Sequence, residues 1–233
     1  MNIVLLKQVV QGEVWCIDEP RQVAHIRQHL ALQVGDNLKV GVLNQGRYLT
    51  EVIAIGDRQV WVQAMTPQAV PNKLPLTLIV ALPRPKALRR LVMDSVTLGV
   101  EKLVLLHSYR VDKSYWQSPL LGQLEHYIQL GLEQAGDVFA PEVVLEKRFK
   151  PFVEDRLQLW NTEKPSFVAH PYAAAMMPQA WNKPCHLIIG AEGGFIPYEI
   201  ELLEKNGCQI RTIGNRILRT ETAVANLLGR LFV

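Results

Sequence analysis

The sequence predicts an α/β protein, a mostly parallel sheet covered on both faces by helices and preceded by a small β unit. Three observations carry that expectation. From Leu76 onward short apolar runs alternate with helical patterns, the arrangement that builds parallel β-α-β units. Before about Val70, weakly alternating segments are separated by turn signals, as in a compact barrel. Near the end, two apolar runs, 186–189 and 209–213, each stop at a glycine and lead through a polar loop into a helical pattern. Ligands of such sheets bind beyond the carboxyl ends of the strands, so these two loops mark the candidate site.

A chain of 233 residues suits one or two domains and buries a sizeable core without disulfide staples. No run approaches the 18 apolar residues of a spanning helix, and the opening MNIVLLKQVVQGEV is short and lacks a basic leader, so a cytoplasmic location is expected. Cys16, Cys185 and Cys208 have no metal-ligand spacing, which points to reduced thiols and no metal. His25 and His29, at i and i+4, have no third ligand nearby. The net charge of +3 is far from a basic footprint. Its distribution says more: Arg84, Lys86, Arg89 and Arg90 lie together, and Lys205, Arg211, Arg216 and Arg219 occur in a stretch without an acid.

In chain order, strands are expected at 13–17, 37–42, 48–55 and 59–64, with a helix over 21–32 whose Val23, Ile26 and Leu30 share one side. The stretch TPQAVPNKLP, with three prolines, reads as a linker. Beyond it come the strand TLIVAL, a helix over 86–98 ending at Gly99, a strand over 102–106 and a long helix over 119–135. A strand over 142–145, a helix over 152–160 and a strand over 166–169 complete the series before the terminal loops.

The first terminal loop, Gly190-Ala191-Glu192-Gly193-Gly194, has three glycines in five residues, so its backbone can approach a ligand closely. It matches neither the dinucleotide fingerprint nor the Walker pattern. Pro197 suits a first helical turn, Glu199 and Glu201 sit where the helix dipole favours anions, and Gly207 reads as a stop. The second loop, Gly214 to Thr222, sets Arg216, Arg219 and Glu221 among hydroxyls before a helix whose apolar face is Val224, Leu227, Leu228 and Leu231. Taken singly, each loop could be a capped β-α turn with solvated charges. Together they make an uncharged glycine shelf beside a charged rim.

The residues IIGAEGGF, followed by an acidic helix and IGNRILRTETA, resemble the signature of the RsmE family, methyltransferases that modify N3 of a uridine in small-subunit ribosomal RNA. ALPRPKALRRLVMDSVTLGVEKLVLL, FVAHP and, in the first segment, HIRQHLALQVGD extend the likeness. The resemblance implies a SPOUT-class, trefoil-knotted α/β domain over 76–233 that binds S-adenosylmethionine. It further implies a PUA-like, RNA-holding β-barrel over 1–70, a linker over 71–75, and a homodimer through the C-terminal domain acting on the small ribosomal subunit. Three places depart from the family pattern. Ala31 stands at an arginine position, LEQAGD has Ala135 and Asp137 for a serine and an arginine, and His107-Ser108-Tyr109-Arg110 replaces a Glu-Arg-Ser. Met1 to Pro75 carries seven basic against six acidic residues, so this segment adds little pull on phosphates.

A glycine shelf suits the adenine and ribose edges of that cofactor, and an apolar lining suits the purine faces. Cofactor contacts are therefore expected from His170, Gly190, Glu192, Gly193, Gly194, Ile213, Gly214, Ile217, Leu218 and Thr220. Attack by a uridine nitrogen needs positioning, then loss of its proton, and charge on the pyrimidine oxygens needs a fixed cation. Arg219 is expected as electrostatic stabiliser and Glu221 as proton acceptor or as the group that fixes Arg219; a helix-capping ion pair is the structural alternative. Arg84, Lys86 and Arg216 are expected to contact RNA. The rival readings are a paralogue that keeps the cofactor loop but has changed or lost its RNA target, and an α/β hydrolase. The hydrolase would need a G-x-S-x-G elbow, which this chain lacks.

Overall fold

The computed structural model describes residues 1–9 and 12–232, which cluster into two compact units. Unit one comprises Met1–Asn72 together with Gln129–Ala140, and unit two comprises Lys73–Ile128 and Pro141–Val233.

Unit one is built on an open five-stranded sheet: β1 (Val4–Leu6), β2 (Val14–Ile17), β3 (Asn37–Val42), β4 (Gly46–Ile55) and β5 (Val60–Gln68), in the order β1-β3-β4-β5-β2. Only β1 and β3 run parallel. Inward residues such as Ile17, Val40, Val52, Val60 and Val62 form its core with Val23 and Ile26. The helix expected over 21–32 is shorter: α1 (Pro20–Ala24), capped by the Glu19 carboxylate, gives way to a π turn over His25–His29. The wider turn buries Ile26, and Ala31 comes after it at a φ of 50°.

Gln129–Ala140 is the C-terminal half of helix α3 (Leu124–Ala135) and the turn after it. Its Glu133 is buried, accepting from Arg21 at 2.8 Å and from Gln22 at 2.9 Å. Asp137, in place of a family arginine, is also buried, and its carboxylate caps the N–H groups of Val138 at 2.7 Å and Phe139 at 3.0 Å. That acid is a turn cap and presents no charge to a nucleic acid.

Unit two carries a six-stranded, wholly parallel sheet. Its strands are β6 (Leu74–Ala81), β7 (Val100–Leu106), β8 (Glu142–Glu146), β9 (Ser166–Ala169), β10 (Cys185–Ile189) and β11 (Gln209–Arg211), in the order β11-β9-β10-β6-β7-β8. β6 begins within the expected linker, because a register shift between Leu74 and Thr77 accommodates Pro75. One face packs on α4 (Phe149–Pro151), the π turn Phe152–Leu157, α5 (Gln158–Trp160) and α6 (Pro197–Lys205), through Ile79, Val104, Val168, Ile188, Phe152 and Leu203. The remaining helices, α2 (Pro85–Thr97) and α7 (Thr220–Leu231), pack on each other. Leu88, Leu91 and Val92 of α2 and Val224, Leu227 and Leu228 of α7 are buried at helical spacing. The long helix expected over 119–135 opens as a 3-10 turn, Pro119–Gln123. β11 stops at Arg211 rather than 213, since Thr212 instead bridges Met176. Among the described residues no helix is long and apolar enough to cross a membrane, and no His/Cys/Asp/Glu group could hold a metal.

At the amino ends of β9 and β10, His186 is buried with Nδ1 3.0 Å from the Ser166 hydroxyl and its ring against Trp160. Burial pushes its pKa down to about 4. An ordinary histidine titrates near 6.5, so the unfolded chain takes up this proton first as pH falls. The contribution is fully present above pH ~6.5 and is lost as pH falls towards ~4, with a ceiling of about 3 kcal/mol. Urea unfolding at pH 5 and pH 7 should therefore differ less for His186→Phe than for the native chain; an equal difference would assign the acid sensitivity to other groups.

Candidate active site

The carboxyl ends of β9, β10 and β11 open into a cavity of about 290 Å³. All ten residues expected to contact a cofactor line it: His170, Gly190, Glu192, Gly193, Gly194, Ile213, Gly214, Ile217, Leu218 and Thr220. Arg216 lines it as well.

The first wall is the loop after β10. It folds back so tightly that a Cβ on Gly190 would lie 3.1 Å from the backbone carbon of Gly194 and the nitrogen of Phe195. Gly194 donates to the Ala191 carbonyl at 2.7 Å and takes a φ of 72°, a left-handed conformation that favours glycine. Two hydrogen bonds tie the loop to neighbouring segments. Arg110 donates to the Gly193 carbonyl, and Glu192 accepts from the Arg84 backbone N–H at 3.1 Å. The side chains of Arg84 and Glu192 pair at 3.8 Å with both exposed, so their attraction is screened and weak.

The second wall is the loop after β11. The Thr212 hydroxyl accepts from the Gly214 N–H at 3.2 Å, and Gly214 has a φ of 131°. Ile213, Ile217 and Leu218 give this wall its apolar character, and Ile217 stays 73% exposed at the mouth. At the back, His170 donates its backbone N–H to the Arg211 carbonyl at 2.8 Å and sets its ring edge-on to Tyr172. Burial lowers the His170 pKa, so its imidazole is neutral near pH 7. The first turn of α7 has no side-chain cap, and Thr220 and Ala223 of that turn line the cavity.

Arg219 and Glu221 lie elsewhere. With Arg84 and Lys86 they line a second cavity of about 550 Å³, together with Arg89, Arg90 and Asp94 of α2. Arg219 is extended, with φ −65° and ψ 151°, so its side chain leaves the backbone opposite Leu218 and Thr220. The adjacent pair expected from sequence is thus split from the cofactor shelf by its own backbone. No ion pair joins Arg219 to Glu221 among the described residues, and the α7 cap position has no side-chain hydrogen bond, which removes the capping alternative. Burial raises the Asp94 carboxyl, Arg90 opposes that rise and the Glu221 charge adds to it.

Arg110, Tyr172 and Arg211 also line the first cavity and were not among the expected contacts. Arg110 comes just after β7 and reaches the glycine loop from 83 residues away, so no local spacing marks it. Glu199, expected only as a helix-dipole acid, is fully buried, accepting from the N–H groups of Ile196 at 2.8 Å and Tyr109 at 2.9 Å. Its carboxyl is raised by burial, against the pull of those two donors.

A family model described as the RNA methyltransferase domain matches residues 70–231, and that is the class to which the parallel sheet and its cavity belong. Within that class the chain belongs to the RsmE family, the ribosomal RNA small subunit methyltransferase E proteins. It is 27% identical to the Treponema pallidum protein of that name, over 96% of this chain and 87% of the relative. It is 30% identical to the Mesomycoplasma hyopneumoniae protein over 68% and 69% of the two chains. A crystal structure of the Neisseria gonorrhoeae enzyme bound to S-adenosyl methionine shares the fold, with a TM-score of 0.77, 19% identity and coverage of 98% and 95%.

Proposed function

We propose that this enzyme transfers the methyl group of S-adenosylmethionine to N3 of a uridine in 16S ribosomal RNA of the small ribosomal subunit. The observation that carries the reading is the convergence of the ten expected contact residues on one cavity at the carboxyl ends of three parallel strands. Its chemistry fits the cofactor: exposed backbone of the glycine loop suits the adenine and ribose edges, Ile213, Ile217 and Leu218 suit the purine faces, and the uncapped start of α7 suits a carboxylate. When bound, S-adenosylmethionine supplies an electrophilic methyl group. The chain's own residues do the rest. Arg219 stabilises charge growing on the pyrimidine oxygens, Glu221 takes the N3 proton, and Arg84, Lys86 and Arg216 hold RNA phosphates.

In this reading the enzyme works as a homodimer through its C-terminal domain, because the cofactor shelf and the Arg219–Glu221 cavity are separate within one chain. A second copy then brings its Arg219 to the first copy's cofactor. The trefoil knot implied by the resemblance is supported by the segment between β9 and β10. It hydrogen-bonds Thr212 in one direction and, through Met177, Ala180 and Asn182, Arg230 and Leu231 at the end of α7 in the other. The first unit, Met1–Asn72 with Gln129–Ala140, serves as the PUA-like RNA-holding domain that the resemblance implies over 1–70, and the second unit serves as the methyltransferase domain implied over 76–233.

The decisive experiment supplies purified protein with S-adenosylmethionine and small ribosomal subunits lacking base methylation, then analyses digested RNA by mass spectrometry. New N3-methyluridine is expected. Cofactor binding without any transfer would favour a second reading, a paralogue acting on another RNA, which the departures from the family pattern at Ala31 and Asp137 motivate.

A further inference from the structure

One surface beside the cofactor cavity is absorbed by none of the roles above. His107-Ser108-Tyr109-Arg110 leaves the carboxyl end of β7, and α6 leaves the glycine loop after β10. The two stretches bring Tyr109 and Tyr198 together edge to face, with ring centroids 5.6 Å apart. Tyr109 is 61% exposed and Tyr198 39%, so both side chains are accessible from solvent. Exposed aromatic pairs on a mobile loop would carry little meaning, but this pair is held firmly. The fully buried Glu199 carboxylate accepts from the Tyr109 N–H and from the Ile196 N–H two residues before Tyr198. Burying that carboxylate is costly, and it fixes in place the relation of the two tyrosine-bearing segments.

The neighbours supply charge. Arg110, next in the chain, lines the cofactor cavity and grips the Gly193 carbonyl. On the other side of Tyr109, His107 accepts from the Trp116 indole at 2.9 Å, and Lys147 lies over that indole at 5.8 Å. An unpaired RNA base and its phosphates bind rigid exposed aromatics interleaved with cations, the base on a ring face and the phosphates on the cations.

We propose that Tyr109 and Tyr198 form a stacking platform for an unpaired base of the substrate RNA, flanking the nucleotide that enters the site. A methylated base must leave its helix or be met unstacked, and a platform at the rim holds the neighbouring base while it does. This inference rests on the reading of the chain as an RNA methyltransferase and specifies how that site takes its strand.

The test uses full-length protein and a short uridine-containing RNA with 2-aminopurine beside the uridine. Binding should quench the probe's fluorescence in the native chain. Tyr109→Ala and Tyr198→Ala should each weaken binding about tenfold and abolish the quench, while the slope of log affinity against log salt stays unchanged, since no phosphate contact is lost. Phenylalanine at either position should restore both. S-adenosylmethionine affinity by calorimetry should match the native value in every variant. Native-like binding and quenching in both alanine variants would overturn the platform. So would unchanged RNA affinity with a shift in sedimentation, which would make the tyrosines a contact between copies. If the native chain itself neither bound nor methylated RNA, the functional reading would fall first.

Discussion

Arg219→Ala should lower methyl transfer by more than about a hundredfold while leaving S-adenosylmethionine affinity within a few-fold of native. The geometry separates the two readouts: Arg219 lines the α2-side cavity with Arg90 and Asp94, whereas the cofactor shelf is lined by its neighbours Leu218 and Thr220. Single-turnover transfer and calorimetry on the same preparation decide the matter. Equal losses in both would mean that the substitution has disturbed the loop, and would remove the catalytic role.

Gly190→Ala should do the converse. The added methyl would press on the backbone of Gly194 and Phe195 at 3.1 Å, and backbone cannot step aside as the end of a flexible side chain can. Overpacking of this kind costs about 1–3 kcal/mol, here spent on opening the loop. Cofactor affinity should fall by about tenfold or more, with transfer falling alongside it and recovering partly at high cofactor concentration. A native dissociation constant would show that the loop relaxes freely. The two variants also test the shared site: mixed and re-equilibrated, they should regain part of the activity that each lacks alone if Arg219 serves the partner's cofactor shelf, and none if each chain is self-contained.

The parallel sheet was legible because its strands are short apolar runs closed by turn signals, and Ser166–Ala169 is found at its expected bounds, as Asn37–Val42 is in the sheet of the first unit. The cofactor shelf was legible for a related reason. Both walls are continuous stretches of chain whose glycines and apolar residues serve one cavity. The features that escaped depend on contacts between distant stretches or on backbone direction. Arg110 belongs to the site only because β7 and β10 both flank β6. The exposed side of Arg219 is set by one extended residue before a helix, and adjacency in sequence gave no hint that Leu218 and Arg219 face different cavities. The π turn at His25–His29 keeps the helical spacing of Ile26 but ends the helical register there, so Leu30 and Ala31 lie off the expected helix. Burial of Glu199 and Asp137 likewise reverses the usual expectation for an acid, because backbone N–H groups from elsewhere in the fold or from the next turn satisfy them.

The membership of Gln129–Ala140 in unit one has a consequence for the order in which this chain matures. Arg21 and Gln22 find their shared acceptor only in Glu133, and Asn2 donates to the Glu133 carbonyl. During synthesis the first seventy or so residues therefore emerge without the strip that completes their unit, and the second unit's first two strands, β6 and β7, are translated before it arrives. A gene fragment cut after Asn72 encodes an unfinished object, in which Arg21 and Gln22 lack the carboxylate they share. Dissection of the protein into separately expressed halves should respect that interruption, carrying residues 129–140 with the first piece.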